Sequence, residues 1–156
     1  MRVEREILLP CRPDEAWRFL TDWERQADWM VDVGRVEVVS ANREGLGVRL
    51  RCPSKVFGIP AFTEAMEVSG WDPPTRLTIR HGAPIQGEGT WWLALNPDGT
   101  RFRWREEVRL GIPLVGDLAA RCYRPFMGRL MEHSMKAARR ALIAAGPRPF
   151  PASDPL

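Results

Sequence analysis

The longest helix-forming stretch of the chain, from Leu114 to Ala145, is the feature that most constrains the fold. Its residues are mostly strong helix formers, and Gly146 followed by Pro147 ends it. At 1.5 Å per residue, one continuous helix of this length spans about 48 Å. Pro125 lies inside the stretch and predicts a kink rather than two helices, because proline removes a backbone donor and clashes with the preceding turn.

This predicted helix is amphipathic. An advance of about 100° per residue separates an apolar face from a charged face. One side therefore needs water, and the other needs an apolar surface of similar length to pack against. The predicted apolar face comprises Val115, Leu118, Ala119, Cys122, Tyr123, Phe126, Leu130, Ala137 and Ala141, and the charged face comprises Arg121, Arg124, Glu132, Lys136 and Arg139.

Upstream of the helix, apolar and polar residues alternate in the way typical of antiparallel strands. A first strand over Val3–Leu9 is followed by two short helices, one opened by Arg12-Pro13-Asp14-Glu15 and running to Leu20, and one at roughly Glu24–Met30. Clusters of Asn, Asp, Gly and Pro then mark turns between further strand-like runs. Six more strands are predicted at Val33–Ser40, Gly47–Cys52, Phe62–Ser69, Arg76–His81, Glu88–Asn96 and Arg101–Leu110.

The last of these strands indicates what the long helix packs against. Phe102, Trp104 and Val108 point to one side of it, and arginines and a glutamate point to the other. A sheet with one apolar face needs a cover, and only the long helix is large enough. We therefore predict an α+β fold, in which a curved antiparallel sheet of about seven strands wraps around the C-terminal helix. Residues 1–146 form its single domain, and the proline-rich residues 147–156 form a disordered tail.

This order of elements resembles the SRPBCC superfamily, the START-like or helix-grip proteins, over about Arg2 to Ala145. The resemblance implies the fold, with a ligand cavity between sheet and helix, but no shared catalytic set. The glycine-rich loop of the pollen-allergen branch is absent, since only Gly45 and Gly47 stand there. The segments that carry the resemblance are Val3–Pro10, Pro13-Asp14-Glu15-Ala16-Trp17, Thr21-Asp22 with Trp29, Trp71-Asp72-Pro73-Pro74 and the final helix.

Composition argues against several other classes of protein. A chain of 156 residues with 44% hydrophobic residues can form one core, and a net charge of +3 is too weak to indicate nucleic-acid binding. Cys11, Cys52 and Cys122 are too widely spaced for a metal site or a disulfide framework, and we expect no metal and no cofactor. No run approaches the length of a membrane span and no signal region begins the sequence, so a cytoplasmic location is expected.

Three apolar connections are predicted to meet at one end of the sheet. Alternate connections of a meander lie at the same end, and each of these three places isoleucine beside proline although loops are usually polar. The first interpretation is a portal through which an apolar ligand enters a cavity. The alternatives are a patch that contacts a membrane or a partner, and ordinary core that closes this end. The predicted portal residues are Phe57, Ile59, Ile85 and Ile112.

Several polar side chains fall in the inner register of the sheet or on the apolar helix face. Two carboxylates, a histidine and a tyrosine inside an apolar cup suit general acid–base chemistry. The alternative is structural, with Glu64 and Glu106 paired to Arg5 or another arginine and His81 exposed beside a glycine loop. No catalytic residue is assigned. The predicted ligand-binding residues are Glu64, Met66, His81, Trp91, Trp104, Glu106, Tyr123, Phe126 and Leu130.

The outer face of the sheet carries arginines interleaved with glutamates, among them Glu4, Glu6 and Glu107. This pattern favours a solvated face with cross-strand ion pairs over a nucleic-acid surface. Trp92 points outward, where it either stacks on arginine or marks a homodimer contact. The first functional hypothesis is binding or transport of a small hydrophobic or amphipathic ligand, such as a lipid, an isoprenoid or an aromatic polyketide. The alternatives are a cyclase or dehydratase-like enzyme and a protein-interaction module with a filled core.

Overall fold

The structure, a computed structural model, describes residues 1–56, 58–83, 85–110 and 116–146, without the side chains of residues 56, 110 and 116–121. The chain begins with a strand and two short helices, continues through six strands and ends in a long helix. The elements are β1 (Arg2–Leu9), α1 (Pro13–Leu20), a 3-10 helix (Trp23–Asp28), β2 (Glu37–Val38), β3 (Arg49–Val56), β4 (Ile59–Asp72), β5 (Arg76–His81), β6 (Ile85–Asn96), β7 (Gly99–Leu110) and α2 (Gly116–Ala145).

The seven strands form one antiparallel sheet in the order β1-β7-β6-β5-β4-β3-β2. Strands β2 to β7 pair with their neighbours in the chain, whereas β1 pairs with β7 from Arg2↔Glu107 to Leu9↔Thr100. Helix α2 packs against β1 and β7. The predicted α+β helix-grip architecture is confirmed. No helix within the described ranges has both the length and the apolar character needed to cross a membrane.

The core lies between the inner face of the sheet and the helices. Inward-facing residues of the strands alternate with exposed polar ones, as in β7, where Phe102, Trp104 and Val108 are buried. Several tryptophan rings from different elements meet there, with Trp29 packed on both Trp91 and Trp104. Burial of so much aromatic surface is the main stabilising contribution that this small core can offer.

The buried stripe of α2 lies one residue further along the helix than the sequence indicated. Met131, Met135, Ala138 and Leu142 are buried, whereas the predicted positions Phe126, Leu130, Ala137 and Ala141 are only half-buried. Both stripes are apolar, so periodicity alone does not choose between them. The methionines form the buried stripe because an unbranched, flexible side chain fills the irregular space above a curved sheet. The helix continues across Pro125.

Strand β2 is much shorter than the predicted Val33–Ser40. It comprises only Glu37 and Val38, and Val33 contributes an isolated bridge to Ser54. The reason lies in the partner strand, where Pro53 faces Gly34 and accepts a hydrogen bond from its N–H at 2.6 Å. Proline has no N–H to return, so the regular ladder stops there. Strand β4 extends beyond the predicted Phe62–Ser69 at both ends. The predicted tail, residues 147–156, lies outside the described residues.

Candidate ligand-binding cavity

A cavity of about 300 Å³ lies between the inner face of the sheet and α2. Its volume is at the lower end of the range for small-molecule sites, roughly 300–1,000 Å³. Strands β3 to β7, the segment after the 3-10 helix and α2 all contribute to its wall. The apolar part of that wall consists of Met30, Val33, Phe62, Met66, Leu77, Ile79, Ile85, Trp91, Trp104, Val108, Met127 and Met131.

A cluster of three buried titratable side chains lies in the same wall. His81, at the end of β5, directs its Nδ1 to Glu64 Oε1 on β4 at 2.7 Å and its Nε2 to Glu106 Oε2 on β7 at 3.1 Å. Trp104 Nε1–H donates to the other oxygen of Glu106 at 2.6 Å. We call these residues, Glu64, His81 and Glu106, the carboxylate–histidine cluster.

His81 reaches across β6 to Glu106 because β6 presents glycines at this point. Gly87 pairs with His81, and Gly89 pairs with Glu106. A Cβ atom at Gly89 would lie 2.6 Å from Glu106 Oε1, where no side chain fits without displacing the carboxylate. The missing side chain at Gly89 therefore leaves the space in which His81 of β5 and Glu106 of β7 meet.

The two carboxylates keep His81 protonated. Burial, the largest single influence, would lower the pKa of His81, but the hydrogen bonds and negative charges of Glu106 and Glu64 outweigh it and raise the pKa to about 10. At neutral pH both ring nitrogens therefore carry protons and donate to the carboxylates. An imidazolium is not a general base, but it holds the two carboxylates in fixed positions.

The pairing of the carboxylates differs from the one suggested by the sequence. Arg5 does not reach them: it forms an ion pair at 2.6 Å with Glu132 on α2, a residue predicted on the water-facing side of the helix. His81 is not an exposed loop residue either, since its side chain is only 14% exposed. The contact of His81 with Glu106 across β6 depends on which positions of β6 carry glycine. The alternation of residues along a single strand does not reveal such a contact.

Asp32 is a cavity residue that sequence reasoning missed. It lies between the 3-10 helix and β2 and lines the cavity. Its Oδ1 atom is buried and has no hydrogen-bond partner among the described residues. Burial raises the pKa of Asp32 to about 6, and the negative charges of Glu106 and Glu64 act in the same direction. The available signal was an acid inside the apolar run Met30-Val31-Asp32-Val33.

Most of the residues predicted to bind ligand meet at this cavity. Phe126 and Leu130 are the exceptions, and the half-buried Met127 and the buried Met131 of α2 line it instead. Tyr123 is half-buried, and burial raises the pKa of its phenol, assisted by the charge of Asp32. The predicted residues that line the cavity are Glu64, Met66, His81, Trp91, Trp104, Glu106 and Tyr123; the polar ones that were missed are Gln26, Asp32, Ser54 and Lys55, with Cys52 beside them.

Two of the predicted portal residues, Ile59 and Ile85, lie in strands rather than in loops. Ile59 belongs to β4, where it pairs with Val56, and it is 68% exposed and not part of the cavity wall. Ile85 belongs to β6 and lines the cavity. The strands continue through these positions, which leaves shorter connections than the sequence indicated. Phe57 and Ile112 lie outside the described residues, so the portal stays a prediction.

The outer face of the sheet carries the cross-strand ion pairs that the sequence indicated. Arg105 contacts Glu4 at 2.6 Å, and Arg101 contacts Glu6 at 3.5 Å. Trp92 lies under two guanidinium groups, with Arg103 and Arg105 at 4.5 and 4.7 Å from its ring centroid. These contacts account for the outward tryptophan. A homodimer and the absence of nucleic-acid binding stay predictions.

The sequence also matches a known protein family over nearly its whole length. Residues 1–145 match the family described as polyketide cyclase/dehydrase and lipid transport. The chain belongs to this family. This match confirms the resemblance to the SRPBCC superfamily, which was inferred from the order of elements. Among curated proteins, none matches the sequence.

Solved structures share this family member's fold over nearly its whole length. TTHA0849 from Thermus thermophilus is 26% identical, with a TM-score of 0.77 over 94% of this chain and 100% of its own. A START superfamily protein from Mycobacterium smegmatis is 15% identical, with a TM-score of 0.76 over 92% of this chain and 98% of its own. The di-domain ARO/CYC StfQ from the steffimycin biosynthetic pathway is 14% identical, with a TM-score of 0.73 over 94% of this chain and 52% of its own. The latter two likenesses concern the fold alone.

Proposed function

We propose that this protein binds a small hydrophobic or amphipathic molecule in the cavity between the sheet and α2. The observation that carries the proposal is the cavity itself, about 300 Å³ with mainly apolar walls and a smaller number of polar side chains among them. Apolar walls supply affinity and a few placed polar groups supply orientation in small-molecule sites. The family description, which joins polyketide chemistry with lipid transport, supports the same class of ligand.

The volume favours a compact ligand. A site at the lower limit of the usual range encloses a fused-ring compound or a short chain more readily than a whole membrane lipid. Trp91, Trp104 and Ile79 offer flat or branched surfaces against which such a ring can pack.

Binding is tested with the fluorescent probe 1-aminoanthracene, whose emission rises in an apolar site. We expect saturable binding to the unmodified protein. Met127→Trp should abolish it without unfolding the domain, because the larger side chain fills the cavity from α2. Leu130→Trp is the matched control, since Leu130 is half-buried on the same helix but outside the cavity wall.

Two results would contradict the proposal. The first is the absence of saturable probe binding to the folded, unmodified protein. The second is equal binding by the Met127→Trp variant, which would place the probe elsewhere on the molecule. Circular dichroism and thermal unfolding of both variants show whether the fold is retained.

A second candidate function, a cyclase or dehydratase-like enzyme, is favoured by the carboxylate–histidine cluster. Dehydration of a β-hydroxyketone needs a base for the α-proton and an acid for the departing hydroxyl, and one carboxylate can fill both roles in turn by taking the α-proton and passing it to the hydroxyl, which leaves as water. In that case Glu64→Gln or Glu106→Gln should reduce turnover of an aromatic β-hydroxyketone, followed by enone absorbance, at least about 100-fold. Binding of 1-aminoanthracene should persist. Turnover that is absent in the unmodified protein, or unchanged in both variants, would exclude this function for that substrate class.

A further inference from the structure

We propose that the cavity selects ligands whose polar end is a protonated amine. This inference rests on the proposed function and specifies the charge of the ligand. It follows from the balance of charge in the cavity wall, from an unpartnered buried acceptor and from the aromatic surfaces beside it.

Carboxylates outnumber cations among the described residues of the cavity wall. The acids are Asp32, Glu64 and Glu106, and the cations are His81 and Lys55. No arginine belongs to the described part of this wall, although arginine is the most abundant basic residue of the chain. A ligand carboxylate would therefore enter a site that already holds an excess of negative charge, and like charges in a poorly solvated site repel strongly.

The N–H groups of His81 and of the neighbouring Trp104 already donate hydrogen bonds to the carboxylates of the cluster. Both ring N–H groups of His81 donate to carboxylates, and the indole N–H of Trp104 donates to Glu106. These groups have no proton left for a ligand. The carboxylate oxygens keep free acceptor capacity, because each can accept more than one hydrogen bond. The cluster thus presents mainly acceptors, which suits a ligand that donates.

Asp32 adds an acceptor with no partner of its own. Its buried Oδ1 has no hydrogen bond within the described structure. A buried polar atom left without a partner is costly, so a ligand that supplies the missing donor gains that free energy on binding. An ammonium group supplies up to three donors and a compensating positive charge.

Aromatic faces next to the acids favour the same group. The rings of Trp91 and Trp104 lie 5.8 Å apart at an interplanar angle of 73°, and Tyr123 lines the cavity from α2. A cation near the face of such a ring is attracted by its quadrupole, most strongly for tryptophan. Carboxylates together with tryptophan and tyrosine rings form a site suited to an alkylammonium group with an apolar body.

Three probes of nearly equal shape test this selection: naphthalen-2-ylmethylamine, naphthalen-2-ylmethanol and 2-naphthoate. At pH 7.5 they carry a positive, a neutral and a negative end. Each is titrated against the unmodified protein saturated with 1-aminoanthracene, and displacement is followed by fluorescence. We expect the amine to bind about tenfold or more tightly than the alcohol, because charge-assisted hydrogen bonds are stronger than neutral ones, and 2-naphthoate to bind weakest.

Two variants with opposite effects identify the groups responsible. Asp32→Asn should reduce the preference for amine over alcohol about tenfold, because it removes the negative charge and keeps an acceptor oxygen. Lys55→Met should increase the same preference, since it removes a positive charge from the wall. If Asp32→Asn does not fold, the order of affinities of the three probes for the unmodified protein still tests the inference.

The possible failures are distinguishable. Binding of 1-aminoanthracene with equal affinities for the three probes, or with 2-naphthoate tightest, or without displacement by the amine, would overturn the amine inference and leave the proposed function standing. Failure of 1-aminoanthracene and all three probes to bind would overturn both. The expected order of affinities, together with a weaker preference for the amine in Asp32→Asn, supports both the amine inference and the proposed function.

Discussion

His81 makes the stability of this protein depend on pH. Its pKa is about 10 in the folded protein, against about 6.5 for an ordinary histidine. The folded state therefore holds the proton more tightly than the unfolded state. The stabilisation is fully present below pH 6.5 and is lost as pH rises toward 10. We expect the free energy of unfolding, measured with urea, to fall by roughly 1.4 kcal/mol per pH unit between pH 7 and 8.5.

A His81→Gln variant is the control for this pH dependence. It should be less stable at pH 7 and nearly insensitive to pH over the same window. The window stops at pH 8.5 because burial also raises the pKa of Cys11 and Cys52 to about 12, which adds a dependence of the same sign at higher pH. A slope that is equal in the variant and the unmodified protein would show that His81 is not its source.

At the residue scale, sequence reasoning found the groups but not their partners. Alternation along each strand placed Glu64, Glu106 and His81 on the inner side, because a strand has a strict period of two. It did not reveal that His81 bridges the two acids, because the contact with Glu106 depends on Gly89 in the neighbouring strand β6. Asp32 escaped because it lies in an irregular segment, where no period indicates the direction of a side chain.

At the scale of the elements, two glycines differ in how rigid the side chain packed against them is. Gly89 of β6 and Gly128 of α2 both leave no room for a Cβ. At Gly89 the obstacle is the carboxylate of Glu106, buried and fixed by two hydrogen bonds. At Gly128 it is the guanidinium of Arg5, the mobile end of a side chain that is 37% exposed. The first contact is rigid and the second can move.

We therefore expect opposite outcomes for the same substitution. Gly89→Ala should lower the free energy of unfolding by about 2 kcal/mol or more, because it breaks charged hydrogen bonds in the interior. Gly128→Ala should change it by less than about 1 kcal/mol. There, the gain in helix propensity offsets the loss of a solvent-screened ion pair between Arg5 and Glu132. Urea unfolding of both variants checks the comparison, and a larger loss for Gly128→Ala would contradict it.

For the long helix, sequence periodicity predicts the element but not which of its sides is buried. Its existence and end were predictable from composition and from Gly146-Pro147. Its buried side was not, because two adjacent stripes are both apolar and the choice depends on how Met127 and Met131 fit the sheet. The short β2 was missed for a related reason, since the ladder is interrupted by Pro53 in the partner strand rather than by any residue of its own.

At the scale of the whole molecule, the two faces of the sheet perform separate tasks. The outer face pairs arginine with glutamate in solvent, where each pair contributes little stability. The inner face combines aromatic packing with the few polar groups of the cavity. Order and spacing of elements were sufficient to predict this architecture, because a sheet with one apolar face and a single long amphipathic helix have few ways to cover each other. The cavity depends on side-chain packing, which no pattern specifies.

The pairing of β1 with β7 has a consequence for biosynthesis. Strand β1 leaves the ribosome early, but its partner, from Thr100 to Glu107, is synthesised about a hundred residues later. At roughly 5–20 residues per second, this interval lasts on the order of 5–20 s, whereas a hairpin between neighbouring strands forms within about 10 μs. The nascent chain therefore carries an unpaired strand with apolar residues on one side while the meander of β3 to β6 can already assemble. Strand β1 cannot complete its pairing until β7 has been made, and a chaperone that shields apolar strands would act during this interval.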